Sequence, residues 1–148
     1  MPEGFDDEEI ARLRIALARI ARTLDRQTRG ATLTSTQASV LATVAKQGPL
    51  GISEVADIEG VNPTMLSRIV GKLEVTGLLH RSPDPDDKRA ARVETTKDGD
   101  ELHHRLRAER TRLLAERLAA LPPDDAARLL SALPALELLA EALVEKPA

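Results

Sequence analysis

Asn62, Thr64, Ser67, Arg68 and Lys72 fall within eleven residues and together carry the chemistry of duplex recognition. A guanidinium presents paired donors that match O6 and N7 of guanine, and Ser and Thr hydroxyls bond base edges or phosphates. A lysine beside them adds attraction to the phosphate backbone. A second group, Lys88 and Arg89, sits in a run of Pro and Asp, Ser82-Pro83-Asp84-Pro85-Asp86-Asp87-Lys88-Arg89. An exposed basic tip of that kind can reach a narrow minor groove. Asp87, two residues before Arg89, can pair with it and fix its direction. The plain alternatives are a solvated polar helix face for the first group and an ordinary charged turn for the second. Residues 84–89 carry a net charge of −1, which on its own favours the turn.

The elements that must position these residues can be read from periodicity and punctuation. Residues 6–28 predict a helix with Ile10, Leu13, Leu17, Ile20 and Leu24 in one apolar stripe. Thr34 and Gln37 form a capping box for a helix to about Gln47, with Val40, Leu41 and Val44 inward and Gly48-Pro49 as its stop. A short helix follows over 52–58, then a tight turn at Glu59-Gly60-Val61. Asn62-Pro63 pairs a favoured N-cap with a favoured first residue and opens a helix to Thr76, ended by Gly77. Met65, Leu66, Ile69, Val70 and Leu73 are its expected buried side. Strands are expected over 78–81 and 91–95, a hairpin with a long polar tip. Thr96 caps a helix to about Leu121 carrying Leu102, Leu106, Leu113, Leu114 and Leu118. After Pro122-Pro123 a last helix bears Leu129, Leu133, Leu136, Leu139 and Leu143, with a kink expected at Pro134.

A short helix, a glycine turn and a second helix make a helix-turn-helix, and the hairpin after it supplies a wing. The fold class is therefore mostly α with a small β-hairpin wing. The terminal helices carry leucine stripes wider than one small head can cover. Both are read as dimerisation helices, which divides the chain into 1–32, 33–99 and 100–148.

Bulk properties narrow the function classes. The 148 residues hold one Phe, no Tyr or Trp and no Cys, so the core is aliphatic and there is no disulfide, thiolate metal site or thiol-based oxidation sensor. This suits a reducing cytoplasm. No run approaches a membrane span, and the acidic Met1–Glu9 segment lacks the hydrophobic region of a signal peptide. The net charge is −3, yet residues 62–92 carry six basic and four acidic groups while residues 121–148 carry two and five. The middle of the chain can face phosphate and the tail cannot.

The ordered motifs Ile52-Ser53-Glu54-Val55-Ala56, Gly60-Val61, Met65-Leu66-Ser67-Arg68-Ile69-Val70, Lys72-Leu73-Glu74, Gly77-Leu78-Leu79 and Arg81 resemble the MarR family of bacterial regulators. So do the wing Asp84-Pro85-Asp86-Asp87-Lys88-Arg89-Ala90, the run Thr95-Thr96-Lys97-Asp98-Gly99 and the entry Leu33-Thr34-Ser35-Thr36-Gln37. The resemblance implies a winged helix-turn-helix homodimer joined by its terminal helices. It also implies a reading helix from Asn62 in the major groove of double-stranded DNA, with Arg89 in the minor groove and Asp87 as its orienting partner. Many such regulators are repressors of palindromic operators released by small phenolic or other aromatic anions. The family wing often has a basic residue where Asp86 stands. With no Tyr or Trp, aliphatic walls with Arg12, Arg19 or His80 would have to hold an anionic effector.

No catalytic arrangement stands out, and no cofactor is expected. Asp100 and His104 have the i, i+4 spacing of two metal ligands, but adjacent His103 and His104 point about 100° apart on a helix and do not share an ion readily. The expectation is no metal and no enzyme activity. A winged-helix module that binds protein rather than DNA is the competing reading, motivated by the acidic balance and Asp86.

Overall fold

The computed structural model describes residues 4–30 and 32–144. Met1–Glu3, and with them the first part of the acidic amino-terminal segment, lie outside the described residues. Among the described residues, seven helices and three strands follow in the order α1 (Asp7–Arg29), α2 (Ser35–Gln47), β1 (Leu50–Gly51), α3 (Ile52–Glu59), α4 (Pro63–Val75), β2 (Leu79–Pro83), β3 (Ala91–Thr95), α5 (Lys97–Ala119), α6 (Pro123–Ser131) and α7 (Leu133–Val144). Two compact units form, Met1–Arg110 and Thr111–Ala148.

The first unit is built on caps that the sequence spells out. Thr34 accepts from the Gln37 amide and the Gln37 side chain accepts from the Thr34 amide, at 3.1 and 3.0 Å. Asp6 and Glu9 repeat the arrangement at the start of α1. Gly60 takes a left-handed conformation and turns α3 into α4. At the other end of α4, Leu78 donates to the Leu73 carbonyl and Gly77 to the Glu74 carbonyl, with Gly77 at φ +77°. These two bonds are a Schellman termination, and they aim the chain directly into β2.

Helices α2, α3 and α4 bury one aliphatic core with β2, β3 and α5: Val40, Leu41, Val44, Val55, Leu66, Val70, Leu73, Leu79, Val93 and Leu106. Each such side chain contributes roughly 1.5–3 kcal/mol by leaving water. Polar ties add direction. Glu59 at the end of α3 accepts from both Ser39 and Thr43 of α2. Asp25 of α1 is bridged to Arg29 at 3.2 Å and to Arg110 of α5 at 3.5 Å.

The sheet order is β1-β3-β2, all antiparallel. The hairpin sits where expected, but β2 starts at Leu79 and runs on to Pro83 rather than spanning 78–81. It is an edge strand, where a residue without an N–H is tolerated. The two-residue β1, whose Leu50 and Gly51 pair with Val93 and Arg92, was not expected. In the second unit the expected single kinked helix is two helices. The break falls at Ala132, and Pro134 sits in the first turn of α7, where its missing N–H costs no helical bond.

His103 of α5 is buried at 7% exposure beside the core residue Leu106. Burial lowers its pKa, and the positive charges of Lys46 on α2 and of His104, Arg107 and Arg110 on α5 lower it further. The folded protein therefore favours the neutral ring. Below the ordinary histidine value of about 6.5 the unfolded chain binds a proton that the folded chain refuses. Stability is thus full above that pH and declines as the pH falls below it. The melting temperature is expected to fall as the pH is lowered from neutral to about 5. His103→Leu should flatten part of that slope, and an unchanged slope would show that His103 does not contribute.

Candidate nucleic-acid interface

Helix α4 presents two sides. Leu66, Ile69, Val70 and Leu73 are at most 8% exposed and face the core. Thr64, Arg68 and Lys72 are exposed on the other side, and Ser67 is half-buried at its border. Asn62 is spent on the cap, its side chain accepting from the Met65 amide at 2.7 Å. Its amide group keeps its own N–H donors for a ligand.

The wing is fastened to α4 by a residue that sequence reasoning left in the background. Arg81 on β2 donates from Nε to Glu74 at 2.6 Å, and from its terminal nitrogens to the Ser67 hydroxyl at 3.3 Å and the Ser67 carbonyl at 2.9 Å. Glu74 and Arg81 bracket the Gly77 turn, and their opposite charges were the available signal. The clamp fixes the wing's base against one flank of α4. It also removes Arg81 from the supply of free cations. Arg92 is likewise occupied, donating to the Pro49 carbonyl.

Beyond the clamp, the wing tip is folded by two short Asx turns. Asp84 accepts from the Asp86 amide at 2.8 Å, and Asp87 accepts from the Arg89 amide at 3.0 Å. Asp84 and Ala90 close the loop, with Asp84 N–H on the Ala90 carbonyl and Ala90 N–H on the Asp87 carbonyl. Asp87 was expected to pair with the Arg89 side chain. In the structure it bonds the Arg89 backbone, so it shapes the turn that carries the arginine. Among the described residues, the side chains of Arg68, Lys72, Lys88 and Arg89 make no hydrogen bond or ion pair.

One expectation about this surface is overturned. Met65 was placed on the buried side of its helix and is 48% exposed. The core closes on Leu66 and Ile69 and leaves Met65 outside.

The remaining candidates are dispersed. Arg12 and Arg19 stand exposed on α1. His80 pairs across the wing with Glu94, opposite it in the β2–β3 register. Two clefts flank α4, one lined by Leu33, Gln37, Arg68, Lys72 and Val75 among others, the other by Ile52, Pro63, Thr64, Ser67 and Arg68. None of Arg12, Arg19 or His80 lines either. Asp100 accepts from the Thr95 hydroxyl at 2.6 Å, and no group of three metal-binding side chains occurs among the described residues.

Comparison with known proteins identifies relatives of the chain. The MarR family model matches residues 33–91. The HTH-type transcriptional regulator MT0903.1 of Mycobacterium tuberculosis is 33% identical over 109 residues, 74% of this chain and 76% of that protein. The chain belongs to the MarR family. It is accordingly a DNA-binding transcription regulator with a winged helix-turn-helix. A second MarR-type relative, the HTH-type transcriptional repressor MdtR of Bacillus subtilis, is 29% identical over 93 residues, 63% of this chain and 60% of that protein. Among solved structures, FabT of Streptococcus pneumoniae in complex with DNA superposes with a TM-score of 0.69 at 17% identity, covering 90% of this chain and 99% of that one. That likeness is one of fold. No helix of the described residues is long and apolar enough to cross a membrane.

Proposed function

We propose that this MarR-family protein is a cytoplasmic homodimeric repressor that reads a palindromic operator with α4 and braces itself through the wing. The carrying observation is the distribution of free cations. Among the described residues, Arg68 and Lys72 on α4 and Lys88 and Arg89 at the wing tip have no hydrogen-bond or ion-pair partner, while Arg81 and Arg92 are spent on structure. Unpaired cations on a reading helix and on a preshaped tip are what phosphate and base edges require. The DNA-bound FabT structure and the name of the repressor MdtR support the same reading.

A dimer is supported by the terminal helices. Ile10, Leu13, Leu17 and Ile20 of α1 are 41–50% exposed in the single chain. Leu129, Leu130 and Leu133 in the second unit are 46–59% exposed. Contiguous apolar faces of that kind mark association surfaces, and a two-fold dimer dictates a two-fold operator. Deleting residues 121–148 is expected to give an aggregating or poorly folded product in size-exclusion chromatography with light scattering. A stable monomer that still binds DNA would contradict the dimer.

Arg68→Ala tests base reading. It is expected to cost about 1–3 kcal/mol at the cognate site and to relax preference at one position in each half-site of a base-substitution panel. Equal loss on every sequence would make Arg68 a phosphate contact instead.

A further inference from the structure

Met65 is the one large apolar side chain in the first turn of α4 that the core does not use. At about 100° per residue, it projects roughly 60° from Arg68 and 20° from Lys72 around the helix, at the edge of the exposed side. The buried side chains begin at Ile69, roughly 40° away on its other side, and run on through Leu73, Leu66 and Val70, so Met65 stands at the edge of the buried arc. Its neighbours on the exposed side are Lys72 and Arg68, cations without a hydrogen bond or ion pair among the described residues, with Thr64 about 100° away. The other exposed apolar residue of α4, Val75, is in the last turn, far from the end that enters a groove. Leaving a flexible thioether half in water gains nothing for the fold. In a major groove it meets a single apolar feature of the base edges, the C5-methyl group of thymine.

We propose that Met65 is a specificity-determining residue that packs on a thymine methyl in each half-site. This rests on the reading of α4 as the groove-inserted helix and adds the base that helix prefers beside the Arg68 contact. The Asn62 cap holds the Met65 amide, so the first turn does not fray and the side chain starts from a fixed backbone position. Methionine is unbranched and polarisable, which suits contact with a methyl whose position shifts with local groove width.

The probe is the DNA duplex selected by the full-length protein from a random-sequence library. Each thymine in the half-site is replaced in turn by deoxyuridine, which keeps pairing and removes only the methyl. Affinity is measured for the wild type, Met65→Ala and Met65→Leu. One thymine per half-site is expected at which uracil weakens wild-type binding roughly fourfold, the effect of one buried carbon. Met65→Ala should be indifferent to that change, and Met65→Leu should restore most of the sensitivity. Matching melting temperatures for the three proteins show that the fold is intact, as the exposure of the side chain implies. The inference is overturned if no uracil substitution distinguishes wild type from Met65→Ala. If selection yields no preferred duplex, sequence reading by α4 fails as well, and the inference fails with it.

Discussion

Gly99→Ala is expected to be among the most damaging single substitutions in the chain. Gly99 lies in the first turn of α5, buried against the backbone where α4 passes into β2. An added Cβ would lie 2.1 Å from the Leu78 carbonyl oxygen and 3.0 Å from its carbon. That oxygen is already engaged by the Thr96 amide at 3.1 Å, while the Thr96 hydroxyl donates to the Gly77 carbonyl and accepts from the Gly99 amide. The methyl can be accommodated only by moving α5 away from the turn, which breaks these bonds. A cost of about 3 kcal/mol is expected from overpacking of this kind. That corresponds to a fall of about 10 °C in melting temperature for a chain of this size. Because the same turn aims β2, DNA binding should suffer even below the melting transition. A variant that melts like the wild type would show that α5 is not seated on Leu78 as described.

The second large effect is expected at the wing tip. Arg89→Ala should weaken binding about 10- to 100-fold, the value of a charge-assisted contact. The loss should be greatest on duplexes with A·T-rich flanks, where a narrow minor groove attracts a guanidinium. Fold and oligomeric state should be unchanged, since the exposed Arg89 side chain makes no hydrogen bond or ion pair among the described residues. Asp87 gives the sharper test, because its carboxylate holds the Arg89 amide. Asp87→Ala removes an acid near DNA and also removes the turn's hydrogen bond. If shape dominates, binding weakens. Asp87→Asn keeps a side-chain acceptor for the Arg89 amide while deleting the charge, so it should bind at least as well as the wild type. Tighter binding by Asp87→Ala would mean that Asp87 is only a surface charge.

Much of this architecture was legible because the sequence states its boundaries chemically. Thr34 with Gln37, Asn62 with Pro63, Gly60 and Gly77 each act within a few residues, so the limits of α2, α3 and α4 could be read locally. The features that escaped depend on distant partners. The strand β1 has two residues and no period of its own, and it exists because Val93 and Arg92 pair with it. Met65 sits at the edge of the apolar arc of α4, and the width of the buried part is set by α2, α3 and β2 rather than by α4. Pro134 drew attention to itself, but the chain had already broken at Ala132, which leaves the proline in a first turn where it is tolerated. Arg81 looked like one more surface cation, and only the hairpin's return across α4 brings it to Glu74 and Ser67.

The free cations of α4 and the wing make one central claim, that this acidic chain binds duplex DNA through a local basic surface and reads its sequence. A titration of the full-length protein against a selected duplex and a mixed-sequence duplex, repeated across salt concentrations, tests it most directly. The account predicts that both affinities fall steeply and linearly on a log–log scale with salt. It also predicts that the selected duplex binds at least about a thousandfold more tightly near physiological salt. No measurable binding to either duplex at low salt would contradict it and favour a winged-helix module that engages protein instead.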